Sequence, residues 1–285
     1  GYDILFFWVA RMMMMGCYLT GKEPFHTIYL HGLVRDEHGR KMSKSYGNVV
    51  NPLEVMDVQG TDALRFTLAT SGTPGQDLNL NPQRIESARN FANKIWNITR
   101  FVISKLGDDA QRSALSALPS ALTLADRWIA SRYNRLCLDV DRLMESYNFG
   151  EAGRQIQEFL WNEFADWYVE AAKVQLEGDA AQQQSARATL FTVLEGSLRL
   201  LHPFMPFVTE EAWQYLTGMN REQRTESDAH GSSLATPQSI MLAEYPHGVP
   251  ALLNLNAERD WALVQELIVA VRNIRSEYKV EPAHW

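Results

Sequence analysis

Two lysines and two serines lie together in one short segment of the chain, and their spacing suits phosphate binding. Lys41 and Lys44 are separated by two residues, and Ser43 and Ser45 flank Lys44. A lysine ammonium group is a compact charge on a flexible stem, and hydroxyl and backbone N–H groups can complete an anion-binding cradle around it. A solvated loop rich in lysine and serine has the same composition, so charge alone leaves both interpretations open.

The order of these residues carries more information than their composition. Residues 41–45 read KMSKS, and they are followed by GNVVNP at 47–52 and GTDALR at 60–65. This arrangement resembles the signature loop and its surroundings in the class I aminoacyl-tRNA synthetases. The resemblance implies that the loop holds the phosphates of ATP, accompanied by Mg²⁺, while the carboxylate of an amino acid attacks the α-phosphate.

The same resemblance assigns roles to individual residues. Lys44 would neutralise the charge that develops on pyrophosphate, which accelerates the reaction when the effect is stronger in the transition state than in the ground state. Lys41 would position the phosphates, and a structural role for His31 fits the sequence as well as a binding role does. The residues expected to bind ATP are Lys41, Met42, Ser43, Lys44 and Ser45, with His31 and Gly32 beside the adenosine. No metal-ligand spacing is visible, so we assign no metal ligand.

The first eleven residues, GYDILFFWVAR, resemble the valine-specific members of this family. Asp3 lies where a helix is predicted to begin and could accept hydrogen bonds from a substrate ammonium group. Ile4 and Trp8 are four residues apart, which places them on one face of a helix. The resemblance implies that these three residues contact valine. Without it, Ile4 and Trp8 fit a hydrophobic core and Asp3 fits a helix cap.

The segment 81–105 has a basic face within an acidic protein, because it carries five basic residues and one acidic residue. On a helical wheel, Lys94, Asn97, Arg100 and Phe101 lie on the polar side of the predicted helix. Single exposed aromatic residues are common and need no function. An aromatic ring among amides and cations also suits unpaired RNA bases, and the family resemblance implies that these four residues contact the tRNA anticodon.

Residues 1–80 have the mixed pattern of an α/β domain. We expect a buried helix from Asp3 to about Met15 within the apolar segment 4–19, because sixteen residues with Arg11 in their midst are short for a membrane span. The β-branched and aromatic run at 26–30 predicts a strand, and residues 36–39 predict a turn. Asn51 and Pro52 predict a helix start, and another helix is expected at 61–70.

From residue 81 onward the sequence has long helical periodicity. The predicted helices cover residues 82–105, 123–147, 150–177, 181–201, 207–217 and 256–279, and the polar segment 219–239 is predicted to be a mobile insertion. With the resemblance, this pattern predicts a mainly α chain. The C-terminal part of a Rossmann-like α/β catalytic domain would occupy residues 1–80, and an all-α anticodon-binding helix bundle would occupy residues 81–285.

Composition limits the remaining possibilities. The chain has 285 residues and a net charge of −7, which excludes a globally cationic nucleic-acid binder but not a local basic stripe. Its two cysteines, far apart in the sequence, indicate neither a disulfide framework nor a zinc site and favour a reducing, cytoplasmic setting. We expect a monomer without a membrane partner, and the resemblance implies valine, ATP and tRNA(Val) as partners.

The chain lacks a second signature that the family uses to bind ATP. No two of its 7 histidines are three residues apart, so a His-x-Gly-His element is absent, as is the editing domain expected of the family. We therefore expect a fragment of a longer ligase that binds tRNA but does not activate valine alone. The alternatives are an isoleucine- or leucine-type synthetase and a stand-alone, non-catalytic tRNA-binding module.

Overall fold

The computed structural model of the protein describes residues 1–72, 75–107, 122–218 and 238–280. Within these ranges the chain is mainly helical, with one short pair of strands between residues 34 and 79. The prediction of a mainly α chain is therefore confirmed. Most of the predicted insertion at 219–239 falls outside the described ranges, and Ser239 at its end caps a 3₁₀ turn, Ile240–Leu242.

The chain begins with one continuous helical segment. A 3₁₀ turn, Tyr2–Ile4, leads through a π-helical stretch, Leu5–Val9, into helix α1, Ala10–Thr20. The helix is longer than predicted, and Asp3 lies inside its first turn and makes no cap hydrogen bond. The prediction that this helix is buried is wrong, because the described elements of the chain leave its apolar side chains uncovered.

By length and apolar composition alone, the segment Tyr2–Thr20 could cross a membrane, and it is the one described helix that meets this test. A core helix of a soluble protein can meet the same test. Arg11 in its middle opposes a membrane location, because a charged side chain at the bilayer centre is costly.

The two strands that form are short. Strand β1, Val34–Arg35, pairs in parallel with strand β2, Leu78–Asn79. The strand predicted at 26–30 is wrong, since these residues join no ladder within the described chain. The carbonyl oxygen of Leu30 accepts one hydrogen bond from the Gly75 N–H group, at 2.8 Å. A strand forms only where a neighbouring strand pairs with its backbone N–H and C=O groups. The side-chain preference of a segment cannot supply that neighbour.

Two helices follow the lysine-serine segment, as predicted. Helix α2, Pro52–Gln59, begins at Asn51, whose side chain accepts a hydrogen bond from the Leu53 N–H group at 3.1 Å. Helix α3 comprises Thr61–Ser71. Proline costs nothing in the first turn because the N–H group it lacks would have no partner within the helix.

The remaining described chain forms a helix bundle that agrees with the predicted helices to within a few residues. The helices are α4, Pro82–Leu106; α5, Leu124–Glu145; α6, Phe149–Glu158, continued by a π-helical stretch, Phe159–Tyr168, and by α7, Val169–Gln175; α8, Ala180–Leu201; α9, Pro206–Leu216; and α10, Leu255–Glu277.

Helix α3 joins the N-terminal part of the chain to this bundle. It packs against α4 and α6 and contributes Phe66 to a core shared with Phe91 of α4. Asp62, buried on α3, accepts hydrogen bonds from the N–H groups of Phe207 at 3.2 Å and Val208 at 2.6 Å. This carboxylate therefore caps the start of α9 from another helix, where it also meets the positive end of the helix dipole.

Candidate phosphate loop and nucleic-acid interface

The turn before the lysine-serine loop is built around one buried carboxylate. Asp36 accepts hydrogen bonds from the His38 N–H group at 3.1 Å, the Arg40 N–H group at 2.8 Å and Arg40 Nε at 2.9 Å. Gly39 takes a φ of 77° and closes this turn as predicted. Hydrogen bonds from the Asn48 amide first, and then from Arg40, lower the pKa of Asp36 from 3.8 to about 2.

The side chain of Asn48 connects this turn to the loop. Its Nδ2 donates to Asp36 Oδ2 at 3.0 Å and to the Lys41 carbonyl oxygen at 3.2 Å. Its Oδ1 accepts from the Ser43 N–H group at 2.9 Å. One amide therefore holds the first residues of the loop against the carboxylate of the turn.

The two lysines extend from this anchored base. Ser43 caps a 3₁₀ turn, Lys44–Tyr46, by accepting from the Ser45 N–H group at 3.1 Å, and Gly47 ends the turn with a φ of 66°. Lys41 and Lys44 are exposed, and neither ammonium group forms an ion pair with any residue that the structure describes. Two unpaired cations on a short turn can attract an anion such as a phosphate group.

Met42 has a different setting from the lysines on either side of it. Its side chain is half-buried and packs against the hydrophobic core, as do Val55 and Met56 of α2. Met42 therefore attaches the loop to the helical part of the molecule. The structure gives it a packing role, and its expected contact with ATP stays a prediction.

His31 and Gly32 lie apart from the lysines in sequence, at one edge of a cleft. The cleft has a volume of about 340 Å³, and the residues that line it include Tyr29, Phe149 and Phe204. His31 is exposed, with Nδ1 2.8 Å from the Gly32 carbonyl oxygen.

Gly32 has a structural reason to be glycine. A Cβ atom there would lie 1.6 Å from the carbonyl oxygen of Gln76, so the close approach of these two backbone segments leaves no room for a side chain. An adenosine contact at Gly32 stays a prediction beside this packing requirement.

The three residues expected to contact valine are all on the surface of the N-terminal helical segment. Ile4 is 45% exposed and Trp8 is 58% exposed, and Asp3 is exposed beside them. The alternative interpretation of Ile4 and Trp8 as core residues is wrong for this chain, as is that of Asp3 as a helix cap. The contact of these residues with valine stays a prediction.

The structure describes the residues of the basic face predicted on α4, and it shows that Lys94 contacts side chains of a neighbouring element. The ammonium group of Lys94 lies 3.0 Å from Asp166 Oδ1 and 5.1 Å from the ring centroid of Trp161. Asn97 and Arg100 are exposed. Asp166 and Trp161 belong to the π-helical stretch beside α4, so this surface is formed by two elements.

Phe101 lies on the same surface. Its side chain is half-buried and packs against the core, whereas the helical wheel places it on the polar side of the helix. The ammonium groups of Lys105 and Lys173 lie 5.8 Å and 5.6 Å from the centre of its ring. Cations at this distance interact favourably with an aromatic ring. This surface therefore combines the Phe101 ring with two nearby lysines, of which Lys173 also pairs with Glu170 at 2.6 Å.

Sequence reasoning missed several residues that shape these two surfaces. Asp36 and Asn48 are twelve positions apart, and their contact depends on the turn between them. Asp166 and Lys173 come from a helix far from α4 in sequence, and no pattern in either segment pairs them with it.

Two family models match the chain. One, described as tRNA synthetases class I (I, L, M and V), covers residues 1–81, and the other, described as the anticodon-binding domain of tRNA ligase, covers residues 126–284. The second match covers more than half of the length of the chain. The chain therefore belongs to the family of tRNA ligases with this anticodon-binding domain. All of α4 lies between the two matched ranges.

Curated relatives are valine–tRNA ligases. Those of Dehalococcoides mccartyi strain CBDB1 and Symbiobacterium thermophilum are each 48% identical over 98% of this chain, and that of Bacillus subtilis strain 168 is 45% identical over 97%. The predicted resemblance to the valine-specific branch is therefore confirmed. The chain spans about 30% of the length of these relatives, with values of 30%, 31% and 29%.

Solved structures share the fold. The ternary complex of Agrobacterium radiobacter K84 agnB2 LeuRS with tRNA and LeuAMS matches 81% of this chain, and the chain covers 25% of that protein, with a TM-score of 0.58 and 24% identity. Mycobacterium tuberculosis methionyl-tRNA synthetase in complex with methionyl-adenylate matches 85% of this chain, which covers 49% of it, with the same TM-score and identity. These likenesses support the assignment of the fold.

Proposed function

We propose that this chain is part of a valine–tRNA ligase, in which it supplies the loop that binds the phosphates of ATP and the bundle that binds tRNA(Val). The observation that carries the proposal is the pair of unpaired ammonium groups, Lys41 and Lys44, on a loop whose base is anchored by Asp36 and Asn48. The identity to valine–tRNA ligases over 98% of the chain supports valine over isoleucine or leucine.

In the proposed reaction, the valine carboxylate attacks the α-phosphate of ATP, and pyrophosphate leaves. The Lys44 ammonium group would offset the negative charge that grows on pyrophosphate, and Lys41 would hold the phosphates in line for attack. Ser43 and Ser45 would donate hydroxyl hydrogen bonds to phosphate oxygens. Mg²⁺ would enter with ATP, and the described residues hold no group of three or more His, Cys, Asp or Glu that could bind it, so we assign no residue to the metal.

The two remaining small-molecule contacts would lie at the N-terminal part of the chain. The exposed carboxylate of Asp3 would accept hydrogen bonds from the valine ammonium group, and Ile4 with Trp8 would contact its isopropyl group. His31 and Gly32 would lie beside adenosine. The exposure of these three side chains supports this arrangement, because it leaves them accessible to a ligand.

The surface of α4 would bind the anticodon. Phe101 would stack on an unpaired base, Asn97 would donate to and accept from base edges, and Arg100 with Lys94 would contact phosphates. Lys94 would exchange its partner Asp166 for a phosphate group on binding. We further propose that the ligase is a cytoplasmic monomer.

The phosphate-loop proposal is tested in the full-length ligase that contains this sequence, by valine-dependent exchange between ATP and pyrophosphate. We expect Lys44→Ala to lower the exchange rate by roughly 100-fold or more and Lys41→Ala to lower it less, because loss of one preorganised charge contact costs on this order. Lys22→Ala, which removes an exposed lysine after α1, is the matched control. A Lys44→Ala enzyme with the parent exchange rate would contradict the proposal.

A further inference from the structure

The carboxylate of Asp36 and the amide of Asn48 form the base on which the lysine-serine loop stands. Asp36 is 7% exposed, and its two oxygens accept four hydrogen bonds, three from His38 and Arg40 and one from Asn48. A carboxylate oxygen has about two acceptor sites, so these four bonds fill the capacity of the group. Removal of this carboxylate would therefore break contacts with the turn and with Asn48.

The side chain of Asn48 links that carboxylate to the backbone of the loop through hydrogen bonds. Its amide uses both of its polar atoms, donating to Asp36 and to the Lys41 carbonyl oxygen and accepting from the Ser43 N–H group. The two backbone groups belong to residues on either side of Met42. The start of the loop is thus held at two points, and Lys44 follows directly after the second point.

The lysines themselves are not held in this way. Within the described ranges their ammonium groups have no ion-pair partner, while the backbone beneath them is tied to a buried charge. This combination of an anchored base and free charged ends lets the cations reach a phosphate without the whole loop having to be ordered first. Preorganisation of this kind lowers the entropic cost of reaching the transition state.

We propose that Asp36 and Asn48 are positioning residues for the activation of the amino acid, acting through Lys41 and Lys44 without touching the substrates. The inference rests on the proposed function, because it assigns the two residues to the ATP step of that reaction. It predicts that the pair affects adenylate formation and leaves the later transfer of the amino acid to tRNA unchanged.

The experiment compares three variants in the full-length ligase. Asp36→Asn keeps the size of the side chain but replaces an acceptor oxygen with a donor, Asn48→Ala removes every contact of the amide, and Asn48→Asp keeps the acceptor for Ser43 while losing the donor. We expect each to lower kcat for adenylate formation roughly 10- to 100-fold, as small misplacements of catalytic groups do. The KM for valine should stay within twofold.

The matched control is Asn51→Ala. Asn51 lies three residues beyond Asn48, is exposed and caps α2, so its removal changes a hydrogen-bonded asparagine without altering the base of the loop. We expect the parent kcat. The transfer rate from preformed adenylate and the affinity for tRNA are measured for every variant, since a folding defect would lower both.

The outcomes separate the inference from the proposed function. A loss of kcat in adenylate formation, with normal transfer and tRNA affinity, supports the positioning role. If Lys44→Ala abolishes exchange but all three variants keep the parent kcat within twofold, the positioning role is wrong and the proposed function stands. If the variants lose activation, transfer and tRNA affinity together, the pair is merely structural and the inference is overturned. If Lys44→Ala has no effect, the proposed function itself fails.

Discussion

Removal of the Phe101 ring tests how the bundle would recognise RNA. Phe101 is half-buried against the core, and Lys105 and Lys173 lie within 6 Å of its ring centre, at 5.8 Å and 5.6 Å. Phe101→Leu keeps an apolar side chain for packing and removes the aromatic face. Phe101→Ala removes both, so the difference between the two variants separates stacking from packing.

The size of the effect follows from what the ring contacts in the free protein. Stacking of one base on an aromatic side chain contributes about 1–3 kcal/mol to binding. A base must displace at least one of the lysine contacts, which offsets this by about 0.5–1 kcal/mol. With the middle of each range, the net loss in Phe101→Leu is about 1.25 kcal/mol, which corresponds to a Kd increased roughly 8-fold.

The measurement is the fluorescence anisotropy of a labelled anticodon stem-loop of tRNA(Val), titrated with the protein at one fixed salt concentration. Salt must be held constant because phosphate contacts make affinity strongly dependent on it. Phe207→Ala, which removes a phenylalanine that is 63% exposed on α9, is the matched control. If Phe101→Leu melts at the parent temperature and binds with the parent Kd, stacking on this ring is refuted.

The remaining predictions concern stability and side-chain reactivity. Asp62→Ala should lower the free energy of unfolding by about 1–2 kcal/mol in urea denaturation, because α9 loses its cap; Asp57→Ala, at an exposed site on α2, should have little effect, and equal losses would contradict the capping role. Iodoacetamide at pH 8 should label exposed Cys17 and spare Cys137, because burial raises the pKa of the Cys137 thiol to about 11; mass spectrometry of tryptic peptides will show whether both react. Because the pKa of Asp36 is lowered from 3.8 to about 2, its stabilisation of the turn is present above pH 3.8 and is lost as the pH falls towards 2. The protection factors of the turn amides, which correct for the pH dependence of intrinsic exchange, should therefore fall over that interval in the parent but not in Asp36→Asn, and parent protection factors unchanged down to pH 2 would contradict this assignment.

Local sequence signals predicted the helical elements well, because their physical causes are local. Asn51 and Pro52 begin α2 through a side-chain cap and a fixed φ, and both act within one turn of the chain. The bundle helices were found from their apolar periodicity, since a stripe of buried residues recurs at the helical repeat. Gly39 was assigned to a turn, and its φ of 77° agrees with that assignment.

The errors occurred where the answer depends on distant partners. The run at 26–30 has the composition of a strand, yet within the described chain no strand pairs with it. The helix Tyr2–Thr20 is apolar enough for a core, yet nothing described covers it. Phe101 lies on the polar side of the helical wheel, but the structure shows that it is half-buried and that Lys173, from a distant helix, lies 5.6 Å from its ring centre.

The positions of the helices and the family of the chain could be predicted from the sequence alone, because motif order and periodicity are properties of neighbouring residues. The folded chain was needed to show that Asp36 is buried and accepts a hydrogen bond from Asn48, and that Lys94 pairs with Asp166. Such contacts form when the chain brings separate segments within hydrogen-bonding distance. Neither partner carries a local signal of the other, so the structure was needed to identify the residues that position the loop.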